Sequence, residues 1–284
     1  MLGALLRLLQ APPGLAIDFT QPAQAPALAP SDGLSWRVFS NPISLFIGGV
    51  SAVLLELAEP RVRTGVWEHS SFRSDPLGRL HRTGYAAMIT VYAPQAEAAA
   101  MIARVVRMHE HVRGTTPDGQ TYSANTPELL DWVQATAIYG FTQAFHCFVQ
   151  PLSDAEKDRA FMEGQASAAL YGAHGLPPSW HAWEQLLSDI SPTLQGHAIL
   201  AEFVDIMCHS PILPRPLRPL QQLLVKAAVH ITPSPVRALP QLQGLALRPW
   251  QLRLVRAMAG LTQHWPLPML PPAQARQRMR ANQP

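Results

Sequence analysis

The sequence predicts an all-α protein organised as a single helical domain. Apolar residues recur at helical spacing in one segment after another, and many segments open with a capping residue or a proline. Alternating runs typical of strands are almost absent. With 284 residues, 48% of them hydrophobic and 14% charged, the chain can bury a large core.

Three regions are expected along the chain. Residues 1–35 hold a short amphipathic helix over Met1–Leu15 and a mobile, Ala- and Pro-rich linker over Gln21–Pro30. Residues 36–265 form the folded domain, and residues 266–284 form a basic, proline-bearing tail with frayed structure. The N-terminal stretch lacks the basic region and cleavage site of a signal peptide. The most apolar internal stretch, Ile43–Leu57, is shorter than the roughly 20 residues that span a bilayer, so no membrane span is predicted.

The first helices of the domain follow from their start signals. Asn41 as N-cap and Pro42 in the first turn predict a central helix, apolar nearly all round. Pro60 ends this helix, and a second one is expected after it. The Ser-rich stretch at 70–76 separates that helix from a third. The three predicted helices cover Ile43–Ala58, Val62–Ser70 and Leu77–Tyr92.

The next helix carries the histidine of greatest interest. It is expected to begin near Ala96, to pass through His109 to Arg113, and to end at Gly114 as its C-cap. The turn sequence Thr-Pro-Asp-Gly at 116–119 then predicts a loop or small hairpin over Gly114–Ser123.

Six more helices are predicted in the second half. Thr126 is an expected N-cap, and Ser153 with Glu156 is an expected capping box. Prolines start most of the others. The six segments are 127–148, 154–171, one from about 179 with Trp180 and Trp183, one from about 192 with Phe203, Pro219–His230 and Pro249–Leu261.

Charge and cysteine content narrow the function classes. The pI is about 9.1, but the net charge is only +3 and the arginines are scattered singly, so nucleic-acid binding is not favoured. Cys147 and Cys208 show no C-x-x-C spacing, which argues against a disulfide framework or a thiolate metal site and favours a reducing cytoplasm. Neither composition nor motif predicts an oligomeric state.

Two predicted helices carry residues suited to holding a flat, iron-containing cofactor. The first contains Asp-Pro-Leu-Gly-Arg-Leu-His-Arg-Thr at 75–83, and the second contains Arg-Met-His-Glu-His-Val-Arg-Gly at 107–114. A neutral imidazole such as that of His109 can donate its Nε2 lone pair to haem iron and leave the opposite face open for dioxygen. Arg79 and Thr83 on that face could hydrogen-bond a partly reduced dioxygen.

These segments, together with Gly-Val-Trp-Glu-His-Ser at 65–70, make the chain resemble the rubber-oxygenase (latex clearing protein) and MpaB-type oxygenase family. The resemblance extends to Tyr-Ser-Ala at 122–124, Pro-Glu-Leu-Leu-Asp-Trp-Val-Gln-Ala-Thr at 127–136 and Pro-Leu-Ser-Asp at 151–154, and is good over Asn41–Leu187. It implies a haem b-dependent, all-α oxygenase with a globin-like core. It also implies dioxygen and a small hydrophobic substrate as reactants.

The resemblance assigns roles to individual positions. His109 falls on the iron ligand, and Arg79 and Thr83 fall on the distal pair. Arg82 stands where some relatives place a lysine that can approach the iron, and arginine does not readily coordinate. Glu68 is similar in placement to the family's active-site glutamate, although it stands closer to the arginine. The candidate haem contacts are His109, Arg79 and Arg113.

Departures from the family pattern shape the substrate expectation. Gln134 stands where many relatives have histidine. Secreted rubber oxygenases carry export signals and meet a polymer, whereas this chain lacks such a signal, so a small apolar or prenyl-like molecule is expected instead of polyisoprene. The expected reaction is oxidative attack on a carbon-carbon double bond.

Two other functions compete with this interpretation. The same histidine-haem module supports a haem-binding sensor or carrier without turnover. A haem-free helical domain with a non-haem metal site is less favoured, since no Glu-x-x-His motif is present and His111 leaves the helix on a different face from His109. Trp132, Tyr139 and Phe145 are expected to pack in the core.

Overall fold

A computed structural model describes residues 11–263 and 268–280, and in this part of the chain it is predominantly helical. Its only sheet there is one antiparallel hairpin. The helices are α1 (Leu34–Val38), α2 (Pro42–Ala58), α3 (Pro60–His69), α4 (Pro76–Tyr92), α5 (Gln95–His109), α6 (Pro127–Phe148), α7 (Asp154–Tyr171), α8 (Trp180–Ile190), α9 (Ala198–His209), α10 (Arg218–Ile231), α11 (Ser234–Arg237), α12 (Pro249–Gln263) and α13 (Pro271–Arg280), and the strands are β1 (Arg113–Thr115) and β2 (Thr121–Ser123). The all-α prediction is confirmed.

The centre of the fold is the close crossing of α2 and α6. A Cβ added at Gly140 would lie 2.5 Å from the carbonyl oxygen of Gly48, and one added at Gly48 would lie 2.7 Å from the Cα of Phe141. The two backbones therefore touch at a point where any side chain would force them apart. This contact fixes α2, which runs through the main core, and so fixes the residues at its C-terminal end.

Stacked aromatic rings fill the main core beside this crossing. The Trp132 and Trp183 ring centroids are 5.5 Å apart, and Tyr139 stacks on Trp183 at 5.0 Å. The Tyr139 hydroxyl donates a 2.7 Å hydrogen bond to the carbonyl oxygen of Ile231. The expectation that Trp132, Tyr139 and Phe145 pack in the core is confirmed, since all three are buried.

Local capping chemistry starts several helices where the sequence predicted. The Asn41 side chain accepts hydrogen bonds from the backbone N–H groups of Ile43 and Ser44, which satisfies donors at the start of α2. Ser153 and Glu156 form the expected reciprocal capping box at α7. Thr126 precedes α6 as expected, but its side chain makes no capping hydrogen bond.

The helix through His109 is shorter than predicted. It ends at His109, and tight turns follow, in which the N–H of His111 bonds the carbonyl of Met108 and the N–H of Val112 bonds that of His109. Gly114 then pairs with Tyr122 in the hairpin and is not a C-cap. Pairing of β1 with β2 provides the backbone hydrogen bonds of residues 113–115 that a longer helix would have provided.

The predicted linker and tail pack against each other. Gln21–Pro30 contains no helix, but α13 lies within the predicted tail, and its Arg278 is fully buried. The Arg278 guanidinium donates to the carbonyl oxygens of Phe19, Ala25 and Tyr92 at 2.8–2.9 Å. These charge-assisted bonds hold the described parts of both segments on a second core beneath α4 and α5, where the sequence had predicted an unpacked linker and a frayed tail.

Part of the predicted N-terminal helix lies outside the described residues. Of Met1–Leu15, only the last five positions are described, and they form a turn without helix. Among the described residues, no single helix is long and apolar enough for a membrane span. Helices α2 and α3 have the required length and apolar composition only when they are taken together, and the chain bends by 110° between them.

Candidate functional site

Helices α4 and α5 pack against each other and carry the two conspicuous motifs. Asp75 caps α4 by accepting a 2.9 Å hydrogen bond from the N–H of Gly78. Only the C-terminal end of α4 is fully buried, at Ile89, Val91 and Tyr92. The first turns of α4, from Arg79 to Met88, are half-buried or exposed, and they provide the surface on which the site is built.

His109 is the last residue of α5 and is half-buried. Its Nδ1 is buried and has no partner at hydrogen-bonding geometry. Burial lowers the pKa of His109, the positive charge of Arg79 lowers it further, and hydrogen bonding with Asn125 offsets part of this. The imidazole is therefore held in its neutral form, which is the form that binds metals.

Arg79 lies within electrostatic reach of His109, so the structure brings these two predicted site residues together. Its Nε is buried without a hydrogen-bond partner. Burial lowers the pKa of Arg79, the carboxyl of Glu56 favours the charged form, and neighbouring Arg82 disfavours it. Since a guanidinium stays protonated in proteins, the site contains a half-buried cation whose buried Nε–H has no acceptor.

Glu56, in the last turn of α2, is a site residue that the sequence interpretation missed. Burial raises its pKa to about 7, and the charge of Arg79 and hydrogen bonding with Thr136 only partly oppose that effect. The sequence feature that could have indicated Glu56 is its position as the acidic residue near the end of an otherwise apolar helix. In the folded protein α2 places this carboxyl within electrostatic reach of Arg79. With a pKa of about 7, the Glu56 carboxyl can exchange a proton near neutral pH.

We expect Glu56→Gln to change how stability depends on pH. Because the folded-state pKa is raised from 4.5 to about 7, the folded protein binds this proton more tightly than the unfolded chain. Stability should therefore fall as pH rises from about 4.5 to 7, by about 3 kcal/mol. Glutamine mimics the protonated carboxyl and should abolish this loss, leaving the variant more stable than wild type at pH 8.

Urea unfolding at pH 5 and pH 8 measures this difference. Glu184→Gln, at an exposed position on α8, is the matched control and should change neither midpoint appreciably. Parallel stability profiles for wild type and Glu56→Gln would show that the Glu56 carboxyl titrates normally.

Thr83 lies one turn beyond Arg79 and is exposed. Its hydroxyl donates a 2.9 Å hydrogen bond to the carbonyl oxygen of Arg79. A Cβ added at the neighbouring Gly84 would meet no heavy atom within 4 Å, so there is open space beside this turn. Thr83 and Arg79 share one helical face, as their spacing predicted.

Glu68 occupies a different environment from Arg79. It is exposed near the end of α3, and its Oε2 accepts a 3.0 Å hydrogen bond from the Tyr122 hydroxyl. His69 Nε2 lies 3.2 Å from the same hydroxyl. These three side chains form a cluster between α3 and the hairpin, and no hydrogen bond or ion pair joins them to Arg79 or Thr83.

The remaining candidate cations lie toward the surface. Arg82 forms a 3.4 Å ion pair with Asp75 and donates a 2.8 Å hydrogen bond to the Ser71 hydroxyl. Arg113 is exposed on β1, and His111 is exposed beyond the end of α5. His81 is half-buried, and its Nε2 is buried without a partner. Among the residues described, no three His, Cys, Asp or Glu side chains meet as potential metal ligands.

Comparison with known proteins assigns the chain to a family. Residues 36–264 match the family described as "ER-bound oxygenase mpaB/B'/Rubber oxygenase, catalytic domain". No curated protein and no solved structure matches the chain. The family match covers most of the sequence and includes every residue of the site described above. The chain therefore belongs to the catalytic-domain family of the mpaB-type and rubber oxygenases.

Proposed function

We propose that the protein is a haem b-dependent oxygenase that acts on a small apolar or prenyl-like substrate. The observation that carries the proposal is the pairing of a neutral, half-buried His109 with the half-buried cation of Arg79, within the residues matched by an oxygenase family. Packing alone does not explain the Arg79 side chain, because its Nε is buried without a partner.

The residues present fit haem. His109 can supply a neutral imidazole as ligand, and the open space beside Gly84 leaves room along α4. The absence of a C-x-x-C-H motif favours noncovalent binding. Exposed cations such as Arg113 are suited to the cofactor's propionates. When bound, haem b supplies an iron centre that activates dioxygen for attack on a carbon-carbon double bond.

The protein's own side chains would supply charge, protons and exclusion of water. The Arg79 guanidinium can donate hydrogen bonds where negative charge develops on oxygen. Glu56 can hold or release a proton near neutral pH beside it. Partly buried apolar side chains on α4, namely Leu80, Tyr85 and Met88, suit an apolar substrate and limit access of water.

Glu56 replaces Glu68 as the preferred proton-transfer residue in this proposal. Glu56 interacts electrostatically with Arg79, whereas Glu68 is exposed and bonded to Tyr122. Cleavage of one double bond consumes one dioxygen and gives two carbonyl groups, so that reaction needs no external reductant.

A visible spectrum of the purified protein tests the proposal. We expect a Soret band, a pyridine hemochrome typical of haem b, and pigment that acid-acetone extracts. Oxygen uptake should then depend on added prenyl alkene, with farnesol as the probe and its saturated analogue as the control. Well-folded protein that stays colourless with ample hemin contradicts the haem assignment. Haem without oxygen uptake, with or without reductant, identifies a carrier or sensor instead.

A further inference from the structure

Two buried polar atoms that lack hydrogen-bond partners belong to neighbouring side chains. They are Nδ1 of His109 and Oδ1 of Asn125. Asn125 lies beside the last turn of α5, because its amide bonds the Val106 carbonyl oxygen and the helix ends at His109. The histidine nitrogen can act as a donor and the amide oxygen only as an acceptor, so a hydrogen bond between them would satisfy both.

The surroundings of Asn125 fix which way its amide faces. Its Nδ2 donates a 3.2 Å hydrogen bond to the carbonyl oxygen of Val106, one turn before His109. Because the NH₂ group is used there, the oxygen is the end available to the imidazole.

The loop that carries Asn125 is tied to the end of α5. The N–H of Ala124 bonds the carbonyl oxygen of Val112, and the N–H of Val112 bonds the carbonyl oxygen of His109. The backbone N–H of Asn125 also reaches the Ser123 hydroxyl oxygen at 3.4 Å. The hairpin therefore places the amide beside the histidine through backbone contacts that do not involve either side chain.

We propose that Asn125 is a positioning residue for His109: its Oδ1 accepts the Nδ1–H and so leaves the lone pair on Nε2, directed away from the hairpin. This inference rests on the proposed function, in which Nε2 binds the haem iron. Histidine ligands commonly donate their second N–H to an acceptor that fixes the tautomer and raises the basicity of the ligating nitrogen.

Substitutions that strengthen or remove the acceptor test this role. Asn125→Ala removes it, so the iron-histidine stretching frequency of the reduced protein should fall and the midpoint potential should rise. Asn125→Asp supplies a stronger, anionic acceptor and should shift both quantities the opposite way. Haem loss from Asn125→Ala should be about ten-fold faster or more. Resonance Raman spectroscopy, potentiometry and haem transfer to apomyoglobin measure the three quantities.

The opposite signs distinguish positioning from support of the hairpin, because a structural defect would shift both variants the same way. Gln120→Ala, at an exposed amide on the same hairpin, is the control and should match wild type. Unchanged frequency and potential in both Asn125 variants, or shifts of the same sign, would overturn the inference. Absence of haem from the wild-type protein would instead overturn the proposed function.

Discussion

His109→Ala should lose most of its haem, whereas His111→Ala should keep the wild-type amount. His109 presents a neutral imidazole that burial and Arg79 keep from protonating, and His111 is exposed two residues further on. Losing a residue that only supports a ligand typically costs ten- to a hundred-fold in affinity, so losing the ligand itself should cost at least about ten-fold. Pyridine hemochrome assays normalised to protein concentration measure the ratio.

Complementation separates loss of the ligand from loss of the fold. His109→Gly with added imidazole should recover the absorption spectrum, because the exogenous ligand can occupy the space of the missing ring. Circular dichroism should remain that of wild type in all three variants. Equal haem content in wild type and His109→Ala would move the ligand elsewhere, and His81 or His69 would then be the next candidates.

Arg79→Ala and Thr83→Ala should retain haem yet lose much of the oxygen chemistry. Both residues lie on one face of α4, and the buried Nε–H of Arg79 is a donor without a partner. Removing a preorganised donor to developing negative charge on oxygen typically costs about 3 to 4 kcal/mol, which is roughly a hundred-fold or more in rate. The measurements are haem stoichiometry and the rate at which the reduced protein oxidises in air, neither of which requires a known substrate.

The chain offers matched controls for both substitutions. Thr90 lies on the same helix and makes the same kind of backbone hydrogen bond as Thr83, to Ala86 at 3.0 Å. Arg73 is an exposed arginine whose guanidinium is bound by Glu202. Thr90→Ala and Arg73→Ala should oxidise as wild type does. Haem loss confined to Arg79→Ala would reassign that arginine to a propionate. Unchanged oxidation in both test variants would show that neither Arg79 nor Thr83 contacts bound oxygen.

Much of the fold could be predicted because its helix starts depend on local chemistry. Asn41 and Ser153 satisfy backbone donors within three residues of themselves, so their roles are visible in the sequence. The end of α5 was predicted wrongly because Gly114 can serve either as a helix cap or as a strand residue. Pairing of Gly114 with Tyr122 decides between them, and that pairing involves residues beyond the helix.

Arg278 shows the same dependence on distant contacts. A basic, proline-bearing segment is expected to fray, because sequence alone offers nothing to pair with its charges. The guanidinium instead meets the carbonyl oxygens of Phe19, Ala25 and Tyr92 from remote parts of the chain. Such partners become available only after the chain has folded around them.

The sequence by itself determined the all-α class, the family, and the placement of Arg79 and Thr83 on one helical face. These depend on local periodicity and on residues close together in a motif. Only the tertiary structure decided that Glu56 and Asn125 face Arg79 and His109 respectively. Neither lies in the motif of its partner, and α2 and the hairpin bring them there. Burial is likewise a property of the packed fold, and it is burial that keeps His109 neutral and raises the pKa of Glu56.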